Sequence, residues 1–249
     1  MVARRSEYLL IDVSNSYAKF AFASREGVSN PARIPTADLS RNVVAEFLRR
    51  RQIQKLVVSS VVPTKNSTIS KAAHNKAPVL WLNWKRKLGV TIDYPRPESI
   101  GADRLANAAA VAELYGCPAI AFDFGTAATF DVVSEGGRYI GGVIAPGLEA
   151  MTNFLYQRTA LLPRLSLKEP RPAIGKSTVE AMRSGAVFGY RGLVREILAR
   201  NKAEQSTRKK VAVVATGGYA RLIANQVPEV ARIHPNLTLE GLRIVGNLN

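Results

Sequence analysis

The sequence predicts an α/β protein built of two halves, each of which opens with a strand, a turn and a second strand. Short apolar segments alternate with helix-like segments along all 249 residues, which is the pattern of α/β folds. Residues 10–16 resemble residues 121–127 at an offset of 111 positions, and in both segments an apolar strand is followed by an Asp. Because such repeats usually mark duplicated structural units, we predict two domains, residues 1–116 and 117–249.

In the first half, strands and helices are delimited by apolar patterning and by chain-breaking residues. Leu39, Val43 and Phe47 fall on one face of an amphipathic helix. Pro63 ends a strand and Gly116 ends a helix, since both residues disfavour continuation. The predicted strands are 7–11, 19–23, 55–62 and 79–82, and the predicted helices are 37–51, 64–76 and 101–115.

The second half follows the same logic. Pro146 and Gly147 break the chain before a helix, and Pro163 and Pro170 mark a loop. The predicted strands are 119–122, 129–133, 138–144 and 211–215, and the predicted helices are 148–158, 178–189, 193–202, 219–226 and 236–248.

The charge balance is strongly basic, because 35 Lys and Arg against 19 Asp and Glu give a net charge of +16. Such a surplus suits nucleic acid, an anionic membrane or a small anionic substrate. Residues 1–124 and residues 125–249 each carry +8, so no basic arm stands out, and we find no recognised nucleic-acid motif. No apolar run approaches the ~18 residues of a membrane span. We therefore expect neither nucleic acid nor a membrane as partner.

The single cysteine, Cys117, excludes an intrachain disulfide and a cysteine-based zinc site. It fits a reducing compartment, and we expect a cytoplasmic location. His74 and His234 are far apart in the sequence and lack the spacing of metal ligands.

The first candidate site follows the first strand. Asp12 comes after four apolar residues, which places it at the carboxyl end of a central strand, where ligand sites of open α/β sheets lie. A carboxylate there can hold Mg²⁺ or its water shell. Ser14, Asn15 and Ser16 offer hydroxyl, amide and backbone N–H groups to phosphate oxygens. The alternative is an Asp that only organises its own turn.

The second candidate site repeats this pattern around Asp123. Gly125 lets a phosphate approach the backbone, and Thr126 supplies a hydroxyl. Two such turns facing one another would hold one polyphosphate from both sides. Gly217 and Gly218 follow a third apolar strand and permit close approach of a nucleotide, although an ordinary strand–helix turn is the alternative.

A third candidate opens the helix predicted at 101–115. Asp103 is interpreted as a general base and Arg104 as a substrate anchor. The alternative is that Asp103 caps the helix, because an acidic side chain is favoured near a helix N-terminus. Residues 175–178 end like a Walker loop, but Pro170 stands where that loop needs Gly and no strand precedes it, so we reject that interpretation.

Together these residues resemble the type III pantothenate kinases of bacteria. The resemblance spans nearly the whole chain, in segments 12–19, 60–63, 94, 101–104, 123–127, 141–147, 158–159, 175–178, 215–218 and 237–242. It implies the duplicated, ribonuclease H-like fold of actin, Hsp70 chaperones and sugar kinases, with the active site in the cleft between two α/β halves. It also implies ATP-dependent phosphorylation of pantothenate to 4'-phosphopantothenate, the first step of coenzyme A biosynthesis. The implied state is a homodimer that uses Mg²⁺ and a monovalent cation, K⁺ or NH₄⁺.

The resemblance further implies a role for each matching residue. Asp103 resembles the proton acceptor and Asp123 the monovalent-cation ligand, while Asp12 is placed to hold Mg²⁺ through water or phosphate. The ATP-binding positions are Asp12, Val13, Ser14, Asn15, Ser16, Tyr17, Ala18, Lys19, Thr126, Gly217 and Gly218. The substrate-binding positions are Tyr94, Gly101, Ala102, Asp103, Arg104 and Thr178.

Two positions depart from the family's usual pattern. Ser14 stands where the family has Gly, and its Cβ and hydroxyl either crowd the phosphate or donate a hydrogen bond to it. Ala128 stands where the family has Thr, so one hydroxyl is lost. These departures motivate an alternative function, a catalytically impaired nucleotide- or metabolite-binding relative with a regulatory role. The net charge motivates a third hypothesis, nucleic-acid binding.

Overall fold

The computed structural model describes residues 8–205 and 207–249, and this part of the chain divides into two compact units. The first unit contains the described residues up to Gly116 together with Gly137–Tyr139 and Asn236–Asn249. The second contains Cys117–Gly136 and Ile140–Pro235. The predicted halves, 1–116 and 117–249, differ from these units in the two short segments that join the first unit. Glu7, the predicted start of the first strand, lies outside the described residues.

The first unit is built on a five-stranded sheet. Its strands are β1 (Tyr8–Val13), β2 (Tyr17–Ala23), β3 (Ala32–Pro35), β4 (Lys55–Ser60) and β5 (Val79–Trp81). Their order is β3-β2-β1-β4-β5, with β1 antiparallel to β2 and parallel to β4. The helices are α1 (Arg41–Arg50), α2 (Pro63–Ala73), α3 (Ala102–Tyr115) and α7 (Leu237–Leu248), and 3-10 turns lie at Thr36–Asp38 and Pro97–Ser99.

The second unit repeats this arrangement. Its strands are β7 (Ala119–Phe124), β8 (Ala127–Val133), β9 (Arg138–Pro146), β10 (Ala212–Gly217) and β11 (Arg232–Ile233), and its helices are α4 (Leu148–Arg158), α5 (Thr178–Glu204) and α6 (Ala220–Ala224). The order is β9-β8-β7-β10-β11, with β7 antiparallel to β8 and parallel to β10. The first two residues of β9 belong to the first unit and pair there with β6 (Thr91–Ile92).

Each central strand is apolar because it is buried on both faces, as expected for strands with parallel neighbours. All six residues of β1 are buried, and five of the six in β7. One face of the first sheet packs against α1 and α2, while α3 and α7 contact each other and the strands β1 and β4. In the second unit, α4, α5 and α6 cover one face of the sheet. The carboxyl ends of β1 and β7 therefore present their Asp residues from rigid supports.

The largest difference from the predicted elements concerns α5. The predicted helices 178–189 and 193–202 are wrong as separate elements, because a single helix runs from Thr178 to Glu204. The short strands β3, β6 and β11 were not predicted. No helix in the described part of the chain is long and apolar enough to cross a membrane.

Candidate active site

Asp12 is the penultimate residue of β1 and is only 2% exposed. It pairs with Lys19 on β2 and with Ser59 on β4. The Lys19 ammonium Nζ lies 3.6 Å from Asp12 Oδ2. The first predicted phosphate-binding segment thus holds a buried carboxylate beside a partly exposed cation.

Burial dominates the electrostatics of Asp12. Removal from water raises the pKa of its carboxyl above the ordinary value, while Lys19 and the Ser59 hydroxyl act in the opposite direction. Asp12 Oδ1 is buried and has no hydrogen-bond partner among the described residues. A buried carboxylate oxygen without a partner is costly, and it suits the water shell of a divalent cation.

The turn that follows Asp12 has exposed polar groups on a fixed backbone. Ser14 N donates to Tyr17 O over 3.0 Å, and the Thr36 hydroxyl donates to Ser14 O over 2.7 Å. Asn15 and Ser16 are exposed, so the turn presents polar residues at the protein surface. The side chains at positions 13 and 18 are buried in the core, which leaves only their backbone groups for ATP.

Ser14 does not need the conformational freedom of the family's usual glycine. Among the described residues, Asn75 is the one non-glycine residue with a positive φ, so Ser14 has an ordinary backbone. The Ser14 side chain is half-buried. The first departure from the family pattern is therefore accommodated without backbone strain.

Asp103 stands in the first turn of α3, which begins at Ala102 with Gly101 as N-cap. Asp103 Oδ1 accepts a hydrogen bond of 2.8 Å from Arg104 N, so part of the predicted capping role is observed. A Cβ at Gly101 would lie 2.5 Å from Asp103 Oδ1. The Asp103 carboxylate can occupy this position because Gly101 has no side chain.

Arg104 lies beside Tyr139, whose ring in turn contacts Tyr94 in the same unit. Its guanidinium carbon is 5.9 Å from the centre of the Tyr139 ring, and the Tyr139 ring meets that of Tyr94 edge to face at 6.2 Å. Such contacts fix a guanidinium in position. Tyr139 was not among the predicted site residues, because it reaches Arg104 only through its place at the start of β9.

Asp123 is the penultimate residue of β7 and repeats the setting of Asp12. It pairs with Thr129 on the antiparallel strand and with Thr216 on the parallel strand. In both units the Asp thus has a hydroxyl-bearing residue on its parallel neighbour, Ser59 or Thr216. The internal repeat in the sequence corresponds to this shared geometry.

Three glycines lie against the Asp123 turn. A Cβ at Gly217, where φ is +92°, would lie 2.5 Å from Asp123 Oδ1 and 2.6 Å from the backbone of Phe124. Gly218 N donates to Phe124 O over 3.2 Å. A Cβ at Gly147 would lie 2.3 Å from Thr126 O. The structure thus brings Asp123, Thr126, Gly217 and Gly218 together. Gly147 was not among the predicted site residues. The signal that could have indicated it is the preceding Pro146, which marks a break in the chain.

Ala128 faces away from this turn. It is fully buried and belongs to the core cluster that contains Phe122, Phe124 and Phe130. A threonine hydroxyl at this position would point into apolar side chains. The second departure from the family pattern therefore removes no group from the Asp123 side of the sheet.

Thr178 lies at the exposed N-terminus of α5. The Ser177 hydroxyl accepts from Glu180 N over 3.3 Å, and Glu180 Oε2 accepts from Lys176 N over 2.8 Å. This pair resembles a capping box, except that Glu180 reaches the N–H of the residue before the N-cap. Residues 175–178 are thus a helix cap, as expected after rejection of the Walker loop. Thr178 is presented to solvent from this cap.

The acidic residues of the site do not form a metal cage. The described residues contain no group of three or more His, Cys, Asp or Glu side chains that could hold a metal ion. Mg²⁺ commonly binds through one or two carboxylates together with substrate phosphates and water. The isolated, buried Asp12 fits Mg²⁺ that arrives with a nucleotide.

Solved structures with the same fold include a kinase and an actin homologue. A polyphosphate/ATP-glucomannokinase from Arthrobacter sp. strain KM superposes with a TM-score of 0.53 at 14% identity, over 98% of this chain and 100% of that one. An archaeal actin homologue gives a TM-score of 0.55 at 10% identity, over 98% and 100%. The predicted duplicated actin and sugar-kinase fold is confirmed.

Sequence comparison gives the family. The family model described as type III pantothenate kinase matches residues 8–200. A type III pantothenate kinase from Akkermansia muciniphila is 49% identical over 244 residues, which is 97% of this chain and 99% of that protein. The resemblance seen in the motifs is therefore confirmed, and the chain belongs to the type III pantothenate kinase family.

Proposed function

We propose that this protein transfers the γ-phosphate of ATP to the terminal hydroxyl of pantothenate, the first step of coenzyme A biosynthesis. The observation that carries the proposal is the pair of matched Asp-bearing hairpins, Asp12 on β1 and Asp123 on β7, in a chain of this family. Phosphoryl transfer depends on positioning and charge neutralisation more than on covalent chemistry. Two similar turns that offer backbone N–H and hydroxyl groups suit that task.

Asp103 is proposed as the general base. It would accept the proton of the pantothenate hydroxyl as the oxygen attacks the γ-phosphate. Its carboxylate is half-buried at the first turn of α3, beside Gly101 and Arg104. The substrate positions proposed around it are Tyr94, Gly101, Ala102, Arg104 and Thr178. Arg104, fixed against Tyr139, would pair with an anionic group of the bound substrates.

The nucleotide is proposed to lie on the two hairpin turns. Residues 12–19 would hold phosphates on the first unit, and Lys19 Nζ, which lies 3.6 Å from Asp12 Oδ2, would supply a positive charge there. Thr126, Gly217 and Gly218 would contact ATP on the second unit. Asp12 would hold Mg²⁺ through water or phosphate, and the bound ion would neutralise charge on the transferred group. Asp123 would bind the monovalent cation.

A homodimer is the proposed assembly. The exposed faces of α4 and α5 carry large apolar side chains, and a cavity of about 580 Å³ between the helices is lined mostly by such groups. Exposed patches of this kind usually mark interaction sites. A second copy of the chain is the partner that the family resemblance implies. We also propose the cytoplasm as location, where the lone Cys117 stays reduced.

The alternative of an impaired, regulatory relative gains no support from the comparisons, in which the matching family and relatives are type III pantothenate kinases. Ser14 has an ordinary backbone, and Ala128 lies in the core away from Asp123. Asp12, Asp103 and Asp123 are all present.

Turnover with a matched pair of variants tests the proposal. With ATP, Mg²⁺ and K⁺, we expect pantothenate-dependent release of ADP. Asp103→Asn should lower kcat by about 10² to 10⁴-fold with the fold intact. Glu113→Gln, an exposed carboxylate on the same helix, serves as control and should keep full activity. Folded wild-type protein without pantothenate-dependent turnover would overturn the proposed activity, and a fully active Asp103→Asn variant would overturn the assignment of the base.

A further inference from the structure

A row of polar side chains crosses the sheet of the second unit on the Asp123 face. Thr216, Asp123 and Thr129 are register partners on the adjacent strands β10, β7 and β8. Asp131 lies two residues beyond Thr129, so it projects from the same face. The opposite face at this point is the phenylalanine-rich core.

Asp131 is a fully buried carboxylate, with 0% exposure. The Thr129 hydroxyl donates to Asp131 Oδ2 over 3.4 Å. A hydroxyl has one proton and two lone pairs. Because the proton is directed to Asp131, Thr129 Oγ1 presents lone pairs to its other neighbours. Thr129 in this orientation cannot donate to Asp123, its direct cross-strand partner.

Gly217 on β10 limits the position of the Asp123 carboxylate from the side of β7 away from Thr129. Asp123 Oδ1 approaches Gly217 so closely that a Cβ there would lie at 2.5 Å. Directly opposed residues of an antiparallel pair have Cβ atoms about 4.5–5.5 Å apart. Asp123 and Thr129 are therefore cross-strand neighbours on one face of the sheet, and the Thr129 oxygen keeps its lone pairs on that face because its proton is directed to Asp131. Two oxygen acceptors of this kind suit a hard cation.

We propose that Thr129 Oγ1 is a second side-chain oxygen ligand of the monovalent cation at Asp123, and that Asp131 is a positioning residue that holds the Thr129 hydroxyl in the acceptor orientation. This inference rests on the proposed cation site at Asp123. Asp131 acts through its hydrogen bond to Thr129 and does not contact the cation. The Thr129 side chain thereby links a buried anion to the site without bringing a second charge into it.

Thr129→Val and Thr129→Ser separate the ligand from the shape of the side chain. The measurement is the K⁺ concentration that gives half of the K⁺-dependent rise in melting temperature, at constant ionic strength with choline chloride. Thr129→Val should raise this concentration about tenfold, because an interaction with a charged group is lost. Thr129→Ser should stay within about twofold of wild type. Asp131→Asn should raise it, since its neutral side chain holds the hydroxyl less strongly. The same order should appear in K⁺ activation of turnover.

A buried threonine elsewhere provides the control. Thr238 donates to Asn107 Oδ1 over 2.9 Å in the first unit. Thr238→Val should lower the melting temperature without changing the K⁺ midpoint. If Thr129→Val does not fold, Thr129→Ser and Asp131→Asn still decide, because a K⁺ midpoint of Asp131→Asn equal to that of wild type would overturn the proposal.

The outcomes also separate this inference from the proposed activity. A Thr129→Val variant with the wild-type K⁺ midpoint overturns the ligand role. If wild type turns over pantothenate but responds to K⁺ neither in melting temperature nor in rate, the cation site and this inference fail while the kinase activity stands. Wild type that responds to K⁺ without turnover, with the predicted order among the variants, supports the site and counts against the activity alone.

Discussion

Asp12 carries an electrostatic cost that is tied to its proposed role. Burial raises the pKa of its carboxyl above the ordinary value of 3.8, so the folded state binds a proton there more tightly than the unfolded state. The free energy of unfolding therefore decreases as pH rises from about the unfolded pKa through the raised, folded one. At neutral pH the ionised carboxylate destabilises the fold.

Asp12→Asn should remove this cost and also impair catalysis. We expect the free energy of unfolding at pH 7.5 to rise by about 1 kcal/mol, which corresponds to about 2–4 °C in melting temperature. The value of kcat/KM for ATP should fall because Mg²⁺ loses a carboxylate. Denaturant unfolding between pH 5 and pH 8 provides the measurement. Asp38→Asn, at an exposed position, is the control and should change neither property. A variant less stable than wild type at pH 7.5 would contradict the expectation.

Gly101 tests the placement of the proposed base without touching its chemistry. Gly101→Ala introduces a Cβ 2.5 Å from Asp103 Oδ1, so the carboxylate must turn away. We expect kcat to fall at least about tenfold, because small displacements of a reacting group are costly. Stability should change little, since Gly101 has a negative φ of −58°. Steady-state kinetics and a thermal melt measure the two effects. Gly27→Ala meets nothing within 4 Å and serves as control. An unchanged kcat would contradict the expectation that the position of the Asp103 carboxylate controls the reaction.

At the scale of elements, the contact between α3 and α7 depends on a glycine. A Cβ at Gly241 would lie 2.0 Å from Ala106 O, a backbone atom inside α3. Gly241→Ala should therefore destabilise the protein by about 1–3 kcal/mol, since the helices must move apart. Gly192 in α5 has open space around its Cβ position, so Gly192→Ala should stabilise by about 0.5–1 kcal/mol. Denaturant midpoints of both variants measure this contrast. Equal effects of the two substitutions would contradict the proposed role of Gly241.

The elements also show where sequence patterns suffice. The apolar runs of β1 and β7 and the residues after them predicted two equivalent Asp-bearing hairpins, because strand, Asp and turn are adjacent in the chain. In α5, the predicted break between 189 and 193 coincides with Gly189 and Gly192, and glycine disfavours helix. The helix continues because Val187, Tyr190 and Val194 are buried along one face, and packing outweighs local propensity.

Other parts of the site could not be read from local sequence. Gly147 reaches Thr126 across 21 positions of the chain, and Tyr139 reaches Arg104 across 35 positions. Thr129 and Asp131 lie in a strand whose pattern predicts only burial and pairing. Their relation to Asp123 follows from the register between β7 and β8, which is fixed by the length and type of the turn between the two strands.

For the whole molecule, the basic surplus of +16 is spread evenly, with +8 in residues 1–124 and +8 in residues 125–249. An even positive field raises the local concentration of anionic ligands such as ATP. Against this background, three of the 19 acidic residues, Asp12, Asp103 and Asp123, are those assigned to chemistry. The surplus therefore fits a kinase of anionic substrates and requires no nucleic-acid partner.

The apolar face of α4 and α5 leads to the last expectation, which concerns assembly. Phe154 on α4 is 60% exposed, and Leu155, Tyr156 and Phe188 are exposed on the same two helices. If a second copy covers this face, the protein should elute with twice the monomer mass of 27.1 kDa. Phe154→Asp should shift it to the monomer, because a buried, unpaired charge costs several kcal/mol. Light scattering after size exclusion measures the mass. Trp84→Asp, at an exposed aromatic residue of the first unit, is the control and should remain dimeric. A dimeric Phe154→Asp variant would place the interface elsewhere, and a monomeric wild type would overturn the proposed homodimer.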